Sequence, residues 1–349
     1  MGALKSLFLL STIVFLVSCS LFKDQRNSTV DELIVTPDPN GHQKFIEGIL
    51  GANKSVWMKM YHLTNPEVID ALIKAHKNKV DVKIILDSAS LQSKNFRDTF
   101  DQLRDAGVNV RASSACFSIT HEKSMILDSK KAFITAINLT KNYNETRDFG
   151  VITKRQDIID EMKEVFMADW QNAAAGTCKT PSLKNTNLVW SPVNAQDKLA
   201  YLIRTPLYNI SLSVENLGNK KIEDALKEMT TQGVAIKVLL PQCDKNKNPL
   251  YNYQFISILN RANIDVRVMP YPASKEHPYM HSKMILIDDE LAYVGSINFS
   301  NNSILKAREL GIIFPDEQAI KRIGDEFKRD WNVSIAPTPL SPGFCPEIE

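Results

Sequence analysis

His121-Glu122-Lys123 is followed after four residues by Asp128, and His281-Ser282-Lys283 after four residues by Asp288. Both read H-x-K-x4-D. Ten residues beyond each Asp stands an Asn, Asn138 and Asn298. Farther on, an acid follows an Arg in Arg147-Asp148-Phe149-Gly150 and in Arg308-Glu309-Leu310-Gly311. Residues i and i+2 of a strand share a face, so each His points the same way as its Lys. Two imidazoles, two ammoniums and two amides converging on one place suit a tetrahedral anion with spread charge, a phosphate diester. One imidazole attacks phosphorus while the other protonates the leaving oxygen. Lys123, Lys283, Asn138 and Asn298 hold the non-bridging oxygens, each well-aimed donor lowering the barrier by roughly 3 to 4 kcal/mol. Cationic side chains do the work of a metal here, so neither metal nor cofactor is expected. Asp148 and Glu309 are suited to hold the histidine rings in one tautomer.

The elements that must position these groups repeat at an offset of 160 to 161 residues. Ile159, Met162, Phe166, Asp169 and Trp170 recur as Ile320, Ile323, Phe327, Asp330 and Trp331. Their apolar members step by three and four, which makes one buried stripe per helix. Strands are expected at Val56–Leu63 and Ile210–Val214, at Val82–Leu86 and Ala235–Leu240, and at Val108–Arg111 and Asp265–Val268. Helices are expected between them: from Asn65-Pro66-Glu67, with Asn as cap, to about His76, and from Lys221 to Gln232. Two more are expected over Lys94–Ala106, striped by Phe96, Phe100 and Leu103, and over Leu250–Ala262. This alternation is an α/β signature. It implies two similar lobes, each a mixed sheet flanked by helices, related by a pseudo-two-fold and sharing one active site. The expected division is a tether over 19–40, lobe 1 over 41–175, a linker over 176–187, lobe 2 over 188–334 and a Pro-rich tail over 335–349.

The duplicated motif resembles that of the phospholipase D superfamily, H-x-K-x4-D-x6-G-[GS]-x-N. The second copy matches in full; the first departs at Thr135-Ala136. The resemblance implies a phosphohistidine intermediate, with His121 as nucleophile and His281 as acid. It also implies that Asp128 and Asp288 point away from the phosphate and stabilise the lobes, with Ser296 in a supporting place.

The chain has 349 residues, 44% of them hydrophobic, with 42 basic and 40 acidic side chains for a net charge of +2. These values exclude a disordered, collagen-like or purely coiled-coil protein, and they argue against a strong polyanion binder. The apolar run from Leu7 to Val17 is too short for a membrane span and ends Leu16-Val17-Ser18-Cys19. This resembles a lipoprotein signal peptide over residues 1–18, with Cys19 acylated after cleavage. Ser20 then points to an exported bacterial lipoprotein of the outer membrane or periplasm. Four further cysteines, Cys116, Cys178, Cys243 and Cys345, allow three pairings that sequence does not separate; a Cys116–Cys243 bond is one candidate. His42, His62, His76 and His277 lack a partner at catalytic spacing and read as loop or packing residues, with His277 able to line the mouth. Two active classes remain. The first is a phospholipid phosphodiesterase or phosphatidyltransferase, monomeric with two lobes and acting on a membrane phospholipid. The second is an exported metal-independent nuclease, which needs a groove lined with Lys and Arg. A third reading keeps the fold for binding alone.

Overall fold

Apolar side chains two residues apart fix where the strands lie. A computed structural model describes residues 28–141, 145–243 and 252–338. Its first lobe carries β1 (Glu32–Val35), β2 (Ser55–Met60), β3 (Asp81–Leu86), β4 (Asn109–Ala112), β5 (Lys123–Leu127), β6 (Lys131–Thr135), β7 (Thr146–Arg147) and β8 (Phe149–Thr153). The second carries β9 (Leu188–Ser191), β10 (Asn209–Val214), β11 (Ala235–Pro241), β12 (Asp265–Met269), β13 (Tyr279–Met280), β14 (Lys283–Ile287), β15 (Leu291–Gly295) and β16 (Glu309–Phe314). Seven strands run in the order β1-β8-β6-β5-β2-β3-β4, and seven in the order β9-β16-β15-β14-β10-β11-β12. In each sheet three strands pair in parallel through helical crossovers, and the remainder pair antiparallel. The two sheets therefore superimpose strand for strand, as the repeat requires.

Two boundaries differ from expectation. Residues 32–35 are not tether: they form β1, the edge strand that pairs with β8 as β9 pairs with β16. Lobe 1 thus begins before residue 41. Four residues are too few to show a period, which is why the strand was illegible. The signal segment, Cys19, Cys345 and the tail beyond residue 338 lie outside the described residues.

Side-chain alternation on β2 shows how the layers form. Val56, Met58 and Met60 enter an outer core with Phe45, Leu72 and Leu103. Trp57 faces the other way and stacks on Phe166 of the helix Gln156–Ala175, with ring centroids 5.4 Å apart. That inner face belongs to a core shared by both lobes, where Ile126, Val151 and Phe166 join Leu286, Ile312 and Phe327. The repeated stripes of Gln156–Ala175 and Glu317–Val333 both end in this layer. Phe96 departs from its expected place: Leu103 is buried, but Phe96 stacks on His62 at 4.2 Å.

Charges cross the shared layer. Arg147 of lobe 1 grips Asp330 of lobe 2 through Nε at 2.7 Å and Nη2 at 2.9 Å. Arg308 of lobe 2 grips Asp169 of lobe 1 through Nε at 2.9 Å and Nη2 at 2.8 Å. Each is a two-pronged guanidinium–carboxylate pair. Lys59 adds to the second cluster, 2.8 Å from Asp169 and 2.7 Å from Glu122. The candidate Cys116–Cys243 bond does not form; Cys116 bonds to Cys178, with their Cα atoms 5.5 Å apart. The loop after β4 lies against the end of the Gln156–Ala175 helix, where Arg111 donates to the Trp170 carbonyl at 2.6 Å. Cys178 follows that helix directly.

Removing one partner of a buried pair strands the other charge, at a cost of about 3–5 kcal/mol. Arg147→Ala and Arg308→Ala are each expected to lose about that much stability in urea unfolding. A loss within about 0.5 kcal/mol, the size of a surface change, counts against the lock.

Candidate active site

Each histidine is placed by a backbone contact between the lobes. Thr120 forms a parallel bridge with Arg308, and Met280 of β13 pairs in parallel with Arg147 of β7. Stepping one residue forward on both chains brings His121 to Glu309 and His281 to Asp148. His121 Nδ1 lies 2.8 Å from Glu309 Oε2, and His281 Nδ1 lies 2.7 Å from Asp148 Oδ1. An ionised carboxylate accepts, so with its acid charged each ring carries the hydrogen on Nδ1 and leaves Nε2 for chemistry. The expected holding of the rings by Asp148 and Glu309 thus takes a crossed form, each acid serving the other lobe's histidine. Asp148 is steadied by the Thr146 hydroxyl at 2.9 Å, and Glu309 accepts from the Ser303 hydroxyl. Ser296 Oγ accepts from Leu310 N–H at 3.2 Å, beside Glu309.

The lysines are held close to their histidines. Lys123 Nζ donates to the His121 carbonyl at 2.8 Å and lies 4.9 Å over the Tyr61 ring. Lys283 Nζ donates to the His281 carbonyl and, at 3.1 Å, to Glu215. Asn298 donates to the same Glu215 oxygen at 3.2 Å. Burial pushes the Glu309 carboxyl up to about 8, against the pull of Lys123. Burial likewise brings Lys123 down to about 7, opposed by Glu309. Both shifts have one cause, since charged groups here have lost water.

The two half-sites open on one cleft of about 1180 Å³ lined by His121, His281, Asn138, Asp148 and Glu215. Its wall is aromatic as well as polar. Tyr61 stacks on His62 at 3.9 Å, so Tyr61, His62 and Phe96 form a ladder of rings leading from His121. Tyr271 and Tyr279 line the lobe-2 side, while His277 is not part of the lining. Asp98, Glu145 and Lys141 also belong to the lining.

Sequence reading missed Glu215, Tyr61, His62 and Phe96. A signal existed: Tyr61 and Glu215 each directly follow one of the two equivalent strands whose partners start at the motif lysines. Asp128 and Asp288 do sit away from the cleft. Asp128 accepts from the backbone N–H groups of Asn53, Lys54 and Ser55, and Asp288 from those of Leu207, Tyr208 and Asn209. Each acid pins a hairpin tip to the start of the central strand. At the divergent Thr135, the methyl group fills the space left by Gly150, where an added Cβ would come within 2.5 Å. Its hydroxyl accepts from Ile137 N–H at 3.2 Å. The turn before Asn138 thus forms without a glycine.

The family model described as "Cardiolipin synthase, PLD-like domain" matches residues 45–170 and again 200–331. The chain belongs to the phospholipase D superfamily. Among relatives of this family, the chain is 23% identical over 314 residues to a probable cardiolipin synthase of Bacillus subtilis, covering 78% of this chain and 59% of that protein. It is 25% identical over 339 residues to a cardiolipin synthase of Clostridium perfringens, covering 83% of this chain and 68% of that one. The crystal structure of a phosphatidylserine synthase of Haemophilus influenzae shares the fold, with TM-score 0.66, 12% identity and 84% of both chains covered. These relatives correct the expected outer-membrane or periplasmic location, because cardiolipin synthases belong with the cytoplasmic membrane. Among the described residues no helix is long and apolar enough to cross a membrane.

The cleft's affinity for an oxyanion should depend on pH. As pH rises through about 7 and 8, Lys123 loses its positive charge and Glu309 gains a negative one. Both changes repel an anion. Sulfate or tungstate binding, followed by calorimetry, is expected to weaken from pH 6 to pH 9, and Lys123→Met is expected to flatten that slope. Equal slopes in both proteins would remove Lys123 from the anion site.

Proposed function

We propose that this chain is a phosphatidyltransferase or phosphodiesterase of the phospholipase D type that acts on membrane phospholipids through a covalent phosphohistidine. The observation that carries this reading is the crossed pair His121–Glu309 and His281–Asp148, opening on a single cleft. With Nδ1 held, Nε2 of one ring attacks the phosphorus of the diester. The other ring gives its proton to the oxygen of the departing headgroup. An alcohol or water then surrenders a proton to that second ring, and its oxygen displaces the histidine from phosphorus. Acid and base catalysis contributes about 10²- to 10⁴-fold. Lysine and amide donors stabilise the charge that builds on the phosphoryl oxygens. Asp148 and Glu309 keep both rings in the working tautomer.

Lipid is favoured over nucleic acid by the charge of the cleft. A groove for single strands needs a run of cations along the backbone path. Among the described residues that line the cleft, Lys141 stands with four acids, Asp98, Glu145, Asp148 and Glu215. The ring ladder of Tyr61, His62 and Phe96 gives an apolar flank suited to the glyceride part of a lipid. Relatives named for cardiolipin synthesis support the transfer branch of this reading.

Activity is expected to survive EDTA and to be inhibited by vanadate, and His121→Asn and His281→Asn are each expected to abolish turnover of a phospholipid. Labelled phosphatidylglycerol, phosphatidylcholine and single-stranded DNA offered side by side separate the two classes; cleavage of DNA alone reverses the ranking. Formation of phosphatidylethanol when ethanol is added marks transfer.

A further inference from the structure

The two half-sites stand on equivalent strands but end differently. Met60 of β2 pairs with Lys123 as Val214 of β10 pairs with Lys283. The next residue of each chain comes to the same corner. In lobe 1 this is Tyr61, whose ring meets the His121 ring edge-on at 4.5 Å. In lobe 2 it is Glu215, which is buried. Glu215 Oε2 lies 3.1 Å from Lys283 Nζ, 3.2 Å from Asn298 Nδ2 and 3.7 Å from His281 Nε2. Its Oε1 accepts from the Tyr279 hydroxyl at 3.2 Å.

The difference has a chemical consequence. Nε2 is the working atom of each ring, because Nδ1 is committed to the crossed carboxylate. The Glu215 carboxylate, 3.7 Å from Nε2 of His281, presents an acceptor to that atom, which the Tyr61 ring does not do for His121. The same carboxylate engages Lys283 and Asn298, and its charge opposes a phosphoryl oxygen placed beside them. A hydroxyl group is a donor and meets it favourably. Lobe 1 has a neutral ring at this corner. Among the other charged groups near His281, Asp148 holds Nδ1 and Lys283 shares Glu215 with it.

We propose that Glu215 is what fits the two half-sites to the order the resemblance implies: facing Nε2 of His281 and engaging Lys283 and Asn298, it suits the lobe-2 half to the alcohol and keeps His281 as proton carrier, leaving the phosphoryl group to His121. This rests on the phosphatidyl-transfer reading above. In the first step the bond from His121 Nε2 to phosphorus forms, the bond from phosphorus to the leaving oxygen breaks, and that oxygen takes the proton of His281 Nε2. In the second step an entering hydroxyl returns a proton to His281 as its oxygen bonds to phosphorus and the phosphorus–nitrogen bond breaks. Glu215 acts through His281 and is a positioning residue.

Leaving-group dependence tests this. The full chain is given phosphatidylglycerol and, separately, phosphatidyl-p-nitrophenol, read as the initial burst of nitrophenolate. Nitrophenolate departs without needing a proton, so its release does not draw on the acid. Glu215→Gln is expected to slow phosphatidylglycerol cleavage about 10²-fold, with a loss on the nitrophenyl ester at least about tenfold smaller. Glu215→Asp is expected to restore most of the loss. His281→Ala should show the same split, and His121→Ala should lose both activities. Equal losses on the two esters in Glu215→Gln overturn the proposal, as does a nitrophenolate burst kept by His121→Ala and lost by His281→Ala. If Glu215→Gln does not fold, as judged by thermal melting, Tyr279→Phe carries the same comparison with a smaller split. A wild-type chain that cleaves neither ester overturns the phosphatidyl reading itself, which is a different result from equal losses.

Discussion

The site depends on two short parallel backbone contacts between the lobes, Thr120 with Arg308 and Met280 with Arg147. Consecutive residues of an extended chain point to opposite faces. At Arg147-Asp148 and at Arg308-Glu309 the arginine therefore turns into the shared core and the acid turns toward the cleft. The arginine finds an aspartate on the other lobe's last helix, and the acid finds the other lobe's histidine. Docking and alignment of the catalytic rings are thus one event. Buried ion pairs of this sort add little net stability over apolar packing, but they penalise every register in which a charge is left alone. A slip of one residue between the lobes would expose both penalties at once and separate both histidines from their carboxylates.

Within that frame the electrostatics are those of a site built dry. Three acids, Asp148, Glu215 and Glu309, share the site with two amines, Lys123 and Lys283, in a region where all five are buried. Desolvation raises Glu309 and lowers Lys123, so the resting site holds its charges reluctantly. A bound phosphate diester brings a full negative charge to Lys123 and favours its charged form. The donors are already fixed by the histidine carbonyls, so little reorganisation accompanies the reaction.

Much of this was legible in the sequence, and the reason is local geometry. The facing of His and Lys follows from strand alternation, and the stripe ending in Asp169-Trp170 follows from helical spacing. The repeat also showed Arg147-Asp148 and Arg308-Glu309 as matched pairs. It did not show that they cross, because crossing is a relation between lobes and leaves no period in either one. Glu215 was missed for the same reason: its importance comes from lying at the end of β10 beside Lys283, not from any motif of its own. Phe96 followed the helical stripe in sequence, yet it sits where the helix overhangs the cleft and meets His62. The Cys116–Cys178 bond depends on where a loop and a helix end meet, which spacing alone does not encode.

Duplication explains which features stayed alike between the lobes and which diverged. The pairs that span the lobes are of the same chemical type on both sides, an Arg with an Asp and a His with a carboxylate. Several positions that act within one lobe differ between the two. Lys59 and Glu122 form an ion pair where Ser213 and Ser282 share a hydrogen bond of 2.7 Å. Thr135 fills a space over Gly150, whereas Gly295 lies against Gly311. Tyr61 in one lobe stands where Glu215 does in the other, and both line the cleft. A change at a spanning pair disturbs both halves of the site through one contact, so it is tightly constrained. A change inside one lobe alters one half alone. A two-fold scaffold can therefore carry a reaction whose two ends, a phosphorus to be attacked and an oxygen to be protonated, are chemically unlike.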